Sequence, residues 1–192
     1  MQIWGRLSSI NVRKVVWAAQ ETGAPFSRTD AGAAFGVVKT PQYLRMNPNA
    51  LVPTLQDGEL TLWESNVIVR YLATKYPAAG MLPVDMGRRF IAEQWMDWQQ
   101  TTFGRAGRDA FWQLIRTPAA QRNDDLIAQS IAATTPLLQQ IDGHLANHPY
   151  MAGDDFSMAD IPLGCEMHRW FGLPLAHDYT ALPHLHRWFD GL

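Results

Sequence analysis

The sequence predicts a chain in two parts: an α/β half built on a small mixed sheet, then a half made only of helices. Three observations carry that expectation. Between Asn47 and Pro77 the chain reads NPNALVPTLQDGELTLWESNVIVRYLATKYP. There Asp57-Gly58, a favoured pair for a two-residue hairpin, separates two short alternating runs and is followed by apolar residues at helical spacing. Upstream of this stretch, strand-like and helix-like segments alternate. Downstream of Met86 the period of two disappears and only helical periodicity remains.

Taken in order, Gln2 to Gly5 reads as a strand, and Asn11 to Thr22 as a helix with Val12, Val15, Val16 and Ala19 on one side, ended by Gly23. Pro25 to Asp30 supplies a second strand, which should run parallel to the first through a right-handed crossover. Residues 31–46 carry a weak pattern broken by Pro41, so a connection with at most one short helix is expected. With Asp57-Gly58 at the centre of the hairpin, Gln56 faces Glu59, Leu55 faces Leu60 and Pro53 faces Leu62. Pro53, Leu55, Leu60 and Leu62 then share an apolar face, while Thr54, Gln56, Glu59 and Thr61 share a polar one. Glu64-Ser65 next opens a helix through Val67, Ile68, Tyr71 and Leu72. The order β-α-β, connection, β-β-α gives a mixed four-stranded sheet with helices on its faces. That is the thioredoxin-like arrangement, expected over residues 1–76.

Residues 77–86, containing Pro77, Gly80 and Pro83, read as a linker, and 87–192 as an all-helical domain. Its first stripe is Phe90, Ile91, Trp95, Trp98 and Thr102, continued by Ala106, Ala110, Phe111 and Leu114 past a bend at Gly104 and Gly107. A second helix spans Leu126 to Leu145, where Pro136 should kink or split it. A third begins at Ser157: Ser157 and Asp160 stand at N-cap and N3, and Phe156 and Ile161 at N′ and N4, a variant capping box with a hydrophobic staple. Pro183 to Phe189 is a last short helix with Leu185, Trp188 and Phe189 inward.

Bulk properties narrow the function classes. Sixteen Lys and Arg against eighteen Asp and Glu leave a net charge of −2, with no basic field to attract nucleic acid or an anionic membrane. No signal-peptide pattern opens the chain, and no apolar run approaches the roughly 18 residues of a membrane span. The cytoplasm is the expected location. Cys165 is the only cysteine, which excludes an intrachain disulfide, a C-x-x-C pair and a cysteine zinc cluster. His144 and His148 stand at i and i+4, but no third ligand is evident, so no metal is expected. Cations at a helix end explain them. His168, His184 and His186 lie among aromatic residues and read as packing or surface positions.

Two-part architecture, Val52-Pro53, Glu64-Ser65 and the run Gly153 to Ile161 (GDDFSMADI) together resemble the cytosolic glutathione transferase superfamily over essentially the whole chain. The resemblance implies a cis-proline loop at Val52-Pro53 that grips the glutathione backbone, a γ-glutamyl site at Glu64-Ser65, and a folding motif at Ser157-x-x-Asp160. Physical chemistry suits those roles. A serine at a helix N-terminus offers a hydroxyl, unpaired N–H groups and a positive dipole end to a carboxylate, and a neighbouring glutamate suits an α-ammonium. The plainer readings are N-capping for Glu64-Ser65 and a trans proline opening an edge strand.

Activating glutathione requires raising its thiolate population, because a free thiol with a pKa near 8.5 is only slightly ionised at neutral pH. Such families use Tyr, Ser or Cys near the first helix. Here the first tyrosine is Tyr43 and the single cysteine is Cys165, so Ser9, Asn11 and Ser8 remain, in that order. Ser9-Ile10-Asn11-Val12 is similar to the S-x-N-V site of serine-type, phi-like members. A charge-assisted hydrogen bond contributes about 1.5–3 kcal/mol, and about 1.36 kcal/mol moves a pKa by one unit, so Ser9 with the helix end suffices in magnitude. Capping of the first helix is the competing role for Ser9 or Asn11. Lys39 falls where relatives place a lysine on the glycyl carboxylate, while Leu51 and Val38 depart from the Gln and His that phi-like members often carry.

The resemblance further implies a small electrophilic second substrate, bound between the two halves near Trp98, Phe103, Arg105 and Arg108, a detoxification chemistry, and a homodimer. A stripe of aromatics at helical spacing is also what a core looks like. Two other readings stand beside the transferase: glutathione-dependent reduction of disulfides or peroxides, in which Asn11 matters more, and a non-catalytic interaction protein of the same fold.

Overall fold

The computed structural model describes residues 1–176 and 179–192, which form two compact units, Met1–Leu82 and Pro83–Leu192. In the first unit, β1 (Gln2–Trp4), α1 (Ile10–Glu21), β2 (Ser27–Thr29), α2 (Pro41–Met46), β3 (Thr54–Asp57), β4 (Leu60–Trp63) and α3 (Ser65–Lys75) follow one another. The sheet order is β2-β1-β3-β4, with β1 parallel to β2 and antiparallel to β3. The thioredoxin-like arrangement is thus present, with a 3-10 turn at Ala33–Phe35 and α2 in the connection.

Alternation along the strands sorts the core into two layers. Ile3 and Leu55 are directly paired and buried, on the face covered by the packed pair α1 and α3 through Val12, Val15, Ala19, Ile68 and Leu72. On the opposite face Trp4 meets Tyr43 of α2 edge-on, with ring centroids 6.3 Å apart. This second layer corrects the polar face expected for Thr54, which is fully buried under Tyr43. Val16 and Tyr71 are only half-buried and Val67 is exposed, so α1 and α3 turn slightly from the faces expected.

The hairpin turn also differs. Asp57 pairs with Leu60 and Leu55 with Leu62, so the two turn residues are Gly58 and Glu59. Gly58 alone of these has a positive φ, +62°, which fits the turn form with glycine at its first central position. Asp57 is drawn into the strand because its carboxylate accepts from Tyr71 Oη at 2.6 Å and from Lys75 Nζ, both on α3. Those two donors hold its carboxyl below the usual range, Lys75 first and Tyr71 second. Since the shift in pairing is two residues, the leucines keep their common face.

The second unit contains α4 (Met86–Trp98), a π-helical turn (Gln99–Phe103), α5 (Gly104–Ala106), α6 (Arg108–Phe111), a second π turn (Trp112–Arg116), α7 (Asp124–Leu145), α8 (Asp160–Phe171) and α9 (Pro183–Asp190). Helix α7 runs through Pro136 without splitting. Phe90 and Ile91 are exposed rather than part of an inward stripe; Ala92, Trp95, Met96 and Gln99 form it instead. Pro162 falls in the first turn of α8, where its missing N–H has no intrahelical carbonyl to lose.

Asp160 is the hub of this unit. Completely buried, it accepts from Ser157 N (2.9 Å) and Ser157 Oγ (3.0 Å), from Met151 N (2.9 Å) and from Trp188 Nε1 of α9 (2.8 Å). Ser157 Oγ in turn accepts from Ala159 N at 3.3 Å, but the N-cap of α8 is Ala159, two residues beyond the Ser157 expected, and makes no side-chain cap bond. Only the return bond from Ser157 N to Asp160 is that of the expected capping box, and Phe156 sits edge-on to Tyr150. Met151 is held from both sides, since its carbonyl accepts from His144 Nε2 at 3.1 Å. Asp142 of α7 caps α9 by accepting from His184 N and Leu185 N, each at 2.8 Å. Leu185 and Trp188 are buried and Phe189 half-buried; His186 stacks on Phe171, and His168 is exposed.

Candidate active site

Strand register brings the expected glutathione-binding residues to one end of the sheet. Thr54 pairs with Trp4 on one side and with Trp63 on the other. Pro53 immediately precedes Thr54 and Glu64 immediately follows Trp63, so the Val52-Pro53 loop and the Glu64-Ser65 helix start leave the paired strands at the same end as Gly5, which follows Trp4. The exit of β1 at Trp4 leads five residues on to Ser9, and the exit of β2 at Thr29 leads three residues on to Gly32. Four segments far apart in sequence therefore meet where β1, β2 and β4 end and β3 begins.

Gly5 is the point of closest approach. A Cβ there would stand 2.4 Å from Val12 Cγ2 and 3.2 Å from Val52 Cβ, so only glycine lets the Val52 loop lie against the start of α1. The Val52-Pro53 peptide is cis. Among the described residues neither the N–H nor the C=O of Val52 has a backbone partner.

Behind that loop lies a closed polar network. Tyr43 Oη donates to Leu51 O at 2.7 Å, so its 2.8 Å contact with Thr54 Oγ1 has the threonine as donor. Asn47 Nδ2 donates to Leu51 O (3.0 Å) and to Thr54 Oγ1 (3.1 Å), and its Oδ1 accepts from Asn49 N and Nδ2. Burial pushes the Tyr43 phenol up, against the pull of Thr54, so it remains a neutral donor. The network fixes Leu51 O and leaves the Leu51 side chain exposed.

Ser9 is the N-cap of α1, with its carbonyl accepting from Val12 N and Arg13 N, both at 3.1 Å. Its hydroxyl makes no capping bond, so the capping role expected as the alternative is filled by the backbone alone. Ser8 and Asn11 are exposed on either side. Glu64 occupies φ 72°, ψ 110°, a region that a non-glycine residue rarely enters, and delivers the chain into α3. Ser65 follows as the first residue of that helix, 4% exposed, where first-turn N–H groups lack intrahelical partners. Lys39 is exposed on the short loop before α2, which Thr40 caps by accepting from Tyr43 N at 3.3 Å.

On the helical unit Trp98 is half-buried, edge-on to Trp95 with centroids 5.1 Å apart. Arg105 and Arg108 are exposed, and neither pairs with an acid among the described residues. Phe103, expected near the second substrate, is not on the surface of this unit. At 1% exposure it is buried, with its ring 5.8 Å from that of Trp98 between centroids, at the last residue of the π turn.

Sequence reasoning missed Gly5, Gly32 and Arg6, which matter through contacts across long separations; a glycine just beyond a strand end was the available signal. It also missed Lys14, 1% exposed on α1, whose Nζ donates to Asn66 Oδ1 at 3.3 Å.

A thioredoxin-like unit with four segments meeting at one end of its sheet, followed by an all-helical unit, is the two-part architecture expected from the sequence, and comparison with known proteins specifies the family. Residues 1–74 match the family model of the glutathione S-transferase N-terminal domain, and residues 106–192 that of the C-terminal domain. Glutathione S-transferase GstB of Escherichia coli K12 is 38% identical over 99% of this chain and 91% of its own length. Glutathione S-transferase 1 of Zea mays is 26% identical over 100% and 91%. A crystal structure of the theta class enzyme of Xanthomonas axonopodis pv. citri, with glutathione bound, superposes with a TM-score of 0.94 at 45% identity, covering 99% of this chain and 90% of that one. The chain belongs to the glutathione S-transferase family.

Proposed function

We propose that the convergent end of the sheet holds glutathione, with the backbone of Val52 along its cysteinyl segment, Pro53 shaping that loop, Glu64 and Ser65 at its γ-glutamyl end and Lys39 at its glycyl carboxylate. Membership in the family makes the chain a glutathione transferase with glutathione as cosubstrate. The observation that carries the residue assignment is the meeting of the β1 exit, the Val52-Pro53 loop and the Glu64-Ser65 helix start. Each chemical part of the tripeptide then finds a matching group: backbone for backbone, a helix start and hydroxyl for a carboxylate, a carboxylate for an ammonium.

Ser9 is the thiol-handling residue in this reading, with Asn11 as the second candidate. The thiol gives its proton to solvent, the Ser9 hydroxyl donates to the thiolate, and the sulfur attacks an electrophilic carbon to form a C–S bond as the leaving group departs with its electron pair. Holding both reactants supplies the rest of the acceleration. Trp98, Arg105 and Arg108 are the acceptor-facing candidates on the helical unit, offering an aromatic surface and two exposed cations to a small electrophile. A titration of the thiolate absorbance of bound glutathione tests the assignment. Ser9→Ala raises the thiol pKa by about one to two units while changing the affinity little. An unaltered pKa would move the role to Asn11.

Two copies pair, in the same reading, through apolar surface exposed on each unit: Trp63 and Val67 on one, Met86, Phe90 and Ile91 on the other. Phe90→Asp would shift the molecular mass from dimer to monomer in light scattering; an unchanged mass would put the contact elsewhere. The cytoplasm is the compartment proposed. Among the described residues no helix is long and apolar enough to cross a membrane.

A further inference from the structure

We infer that Arg6 is a second thiolate-stabilising residue, acting by charge beside the Ser9 hydroxyl. This rests on the reading of the site above. Arg6 follows Gly5 at the exit of β1, and its carbonyl accepts from Ser9 N at 3.1 Å, so the two residues share one turn. Its own N–H donates to Ala31 O at 3.3 Å, which ties the turn to the segment after β2. The side chain lies over Gly32, a buried glycine at φ +81°. A Cβ there would stand 3.0 Å from Arg6 Nη1 and 3.4 Å from Val52 Cγ1. A guanidinium and the Val52 loop thus share one glycine as their floor, and a cysteinyl group held by Val52 and reached by Ser9 lies in the same corner.

The charge at this corner is not spent inside the protein. Arg6 is half-buried, and among the described residues no acid pairs with it. The nearby carboxylate that could have done so, Asp30, is taken by Arg28, which also donates to Gly5 O at 2.7 Å. The other charged groups on the converging segments are Arg13, whose Nε donates to Leu7 O at 2.7 Å, Lys39 on its exposed loop, and Glu64 at the start of α3. Arg6 is therefore the cation set at the junction of the Ser9 turn and the Val52 loop. A half-buried guanidinium favours an anion more than a solvated one does, because less water screens it.

The test compares glutathione bound to the wild type, Arg6→Met and Arg6→Lys by thiolate absorbance against pH. Methionine keeps much of the packing on Gly32 without the charge. It raises the thiol pKa by about one unit and lowers kcat/KM about tenfold below the thiol pKa. Lysine keeps the charge and retains most of the wild-type pKa. A pKa for Arg6→Met within a few tenths of wild type, with glutathione still bound, would overturn the inference and leave Arg6 as a packing residue. If Arg6→Met does not fold, Arg6→Gln is read by the same criterion. A wild-type chain that binds no glutathione would overturn the site reading as well, which separates the two failures.

Discussion

At the scale of single residues, the buried carboxylate of Asp160 sets the largest expected effect. Burial raises its pKa, and the four donors from Met151, Trp188 and Ser157 pull the other way without cancelling it. An amide at this position has one accepting oxygen and brings two N–H groups that find only donors around them. Since each buried polar group left without a partner costs about 1–3 kcal/mol, Asp160→Asn should lower unfolding stability by about 3 kcal/mol or more, read as an earlier urea midpoint. Thr54→Val is a smaller version in the first unit. It removes the donor to the Tyr43 oxygen and the acceptor for Asn47 Nδ2, so a loss of about 1–3 kcal/mol and a weaker glutathione affinity are expected together. A stability loss with unchanged affinity would show that the network holds the core without positioning the Val52 loop.

Secondary-structure elements show where local signals were enough. The hairpin, the helix start at Glu64-Ser65 and the short β1 and β2 are specified by residues adjacent in sequence and were readable, whereas α8 starts at Asp160, capped by Ala159 rather than by Ser157. What was not readable depended on partners far along the chain. Asp57 sits in a strand rather than a turn because Tyr71 and Lys75 reach it from α3, and Thr54 is buried because Tyr43 covers it. Within the proposed site, Val52-Pro53 and Glu64-Ser65 are local motifs visible in the sequence, whereas the approach of Arg6 and Val52 to Gly32 exists only once β1 and β2 are paired. Two glycines separate the effects of conformation and of contact. Gly58→Ala meets nothing within 4 Å and should cost only its backbone preference, about 1–2 kcal/mol. Gly5→Ala strikes Val12 and Val52, so it should cost more and also weaken glutathione binding, measured by denaturation and by calorimetry on the same pair of variants.

For the whole molecule, His144 gives stability a pH dependence with a defined sign. Burial lowers its pKa from 6.5, the charge of His148 adds to this, and the hydrogen bond to Met151 O opposes it. The folded state therefore binds the proton less tightly than the unfolded chain, so this contribution is present above about pH 6.5 and is lost as pH falls. Denaturation midpoints should decline between about pH 7.5 and 5.5, and His144→Gln should flatten that decline. A slope identical in the variant would assign it to another group. Asp160 runs the other way: its raised pKa favours the folded state in acid, in the window above 3.8. One position sets these demands of folding against those of chemistry. Glu64 holds a backbone conformation natural to glycine, which costs about 1–3 kcal/mol. A library selected for thermal survival alone should enrich Glu64→Gly, and the same library selected for turnover should restore glutamate. The ranking of one residue under two selections then measures how much durability the molecule gives up to keep a carboxylate at the proposed γ-glutamyl site.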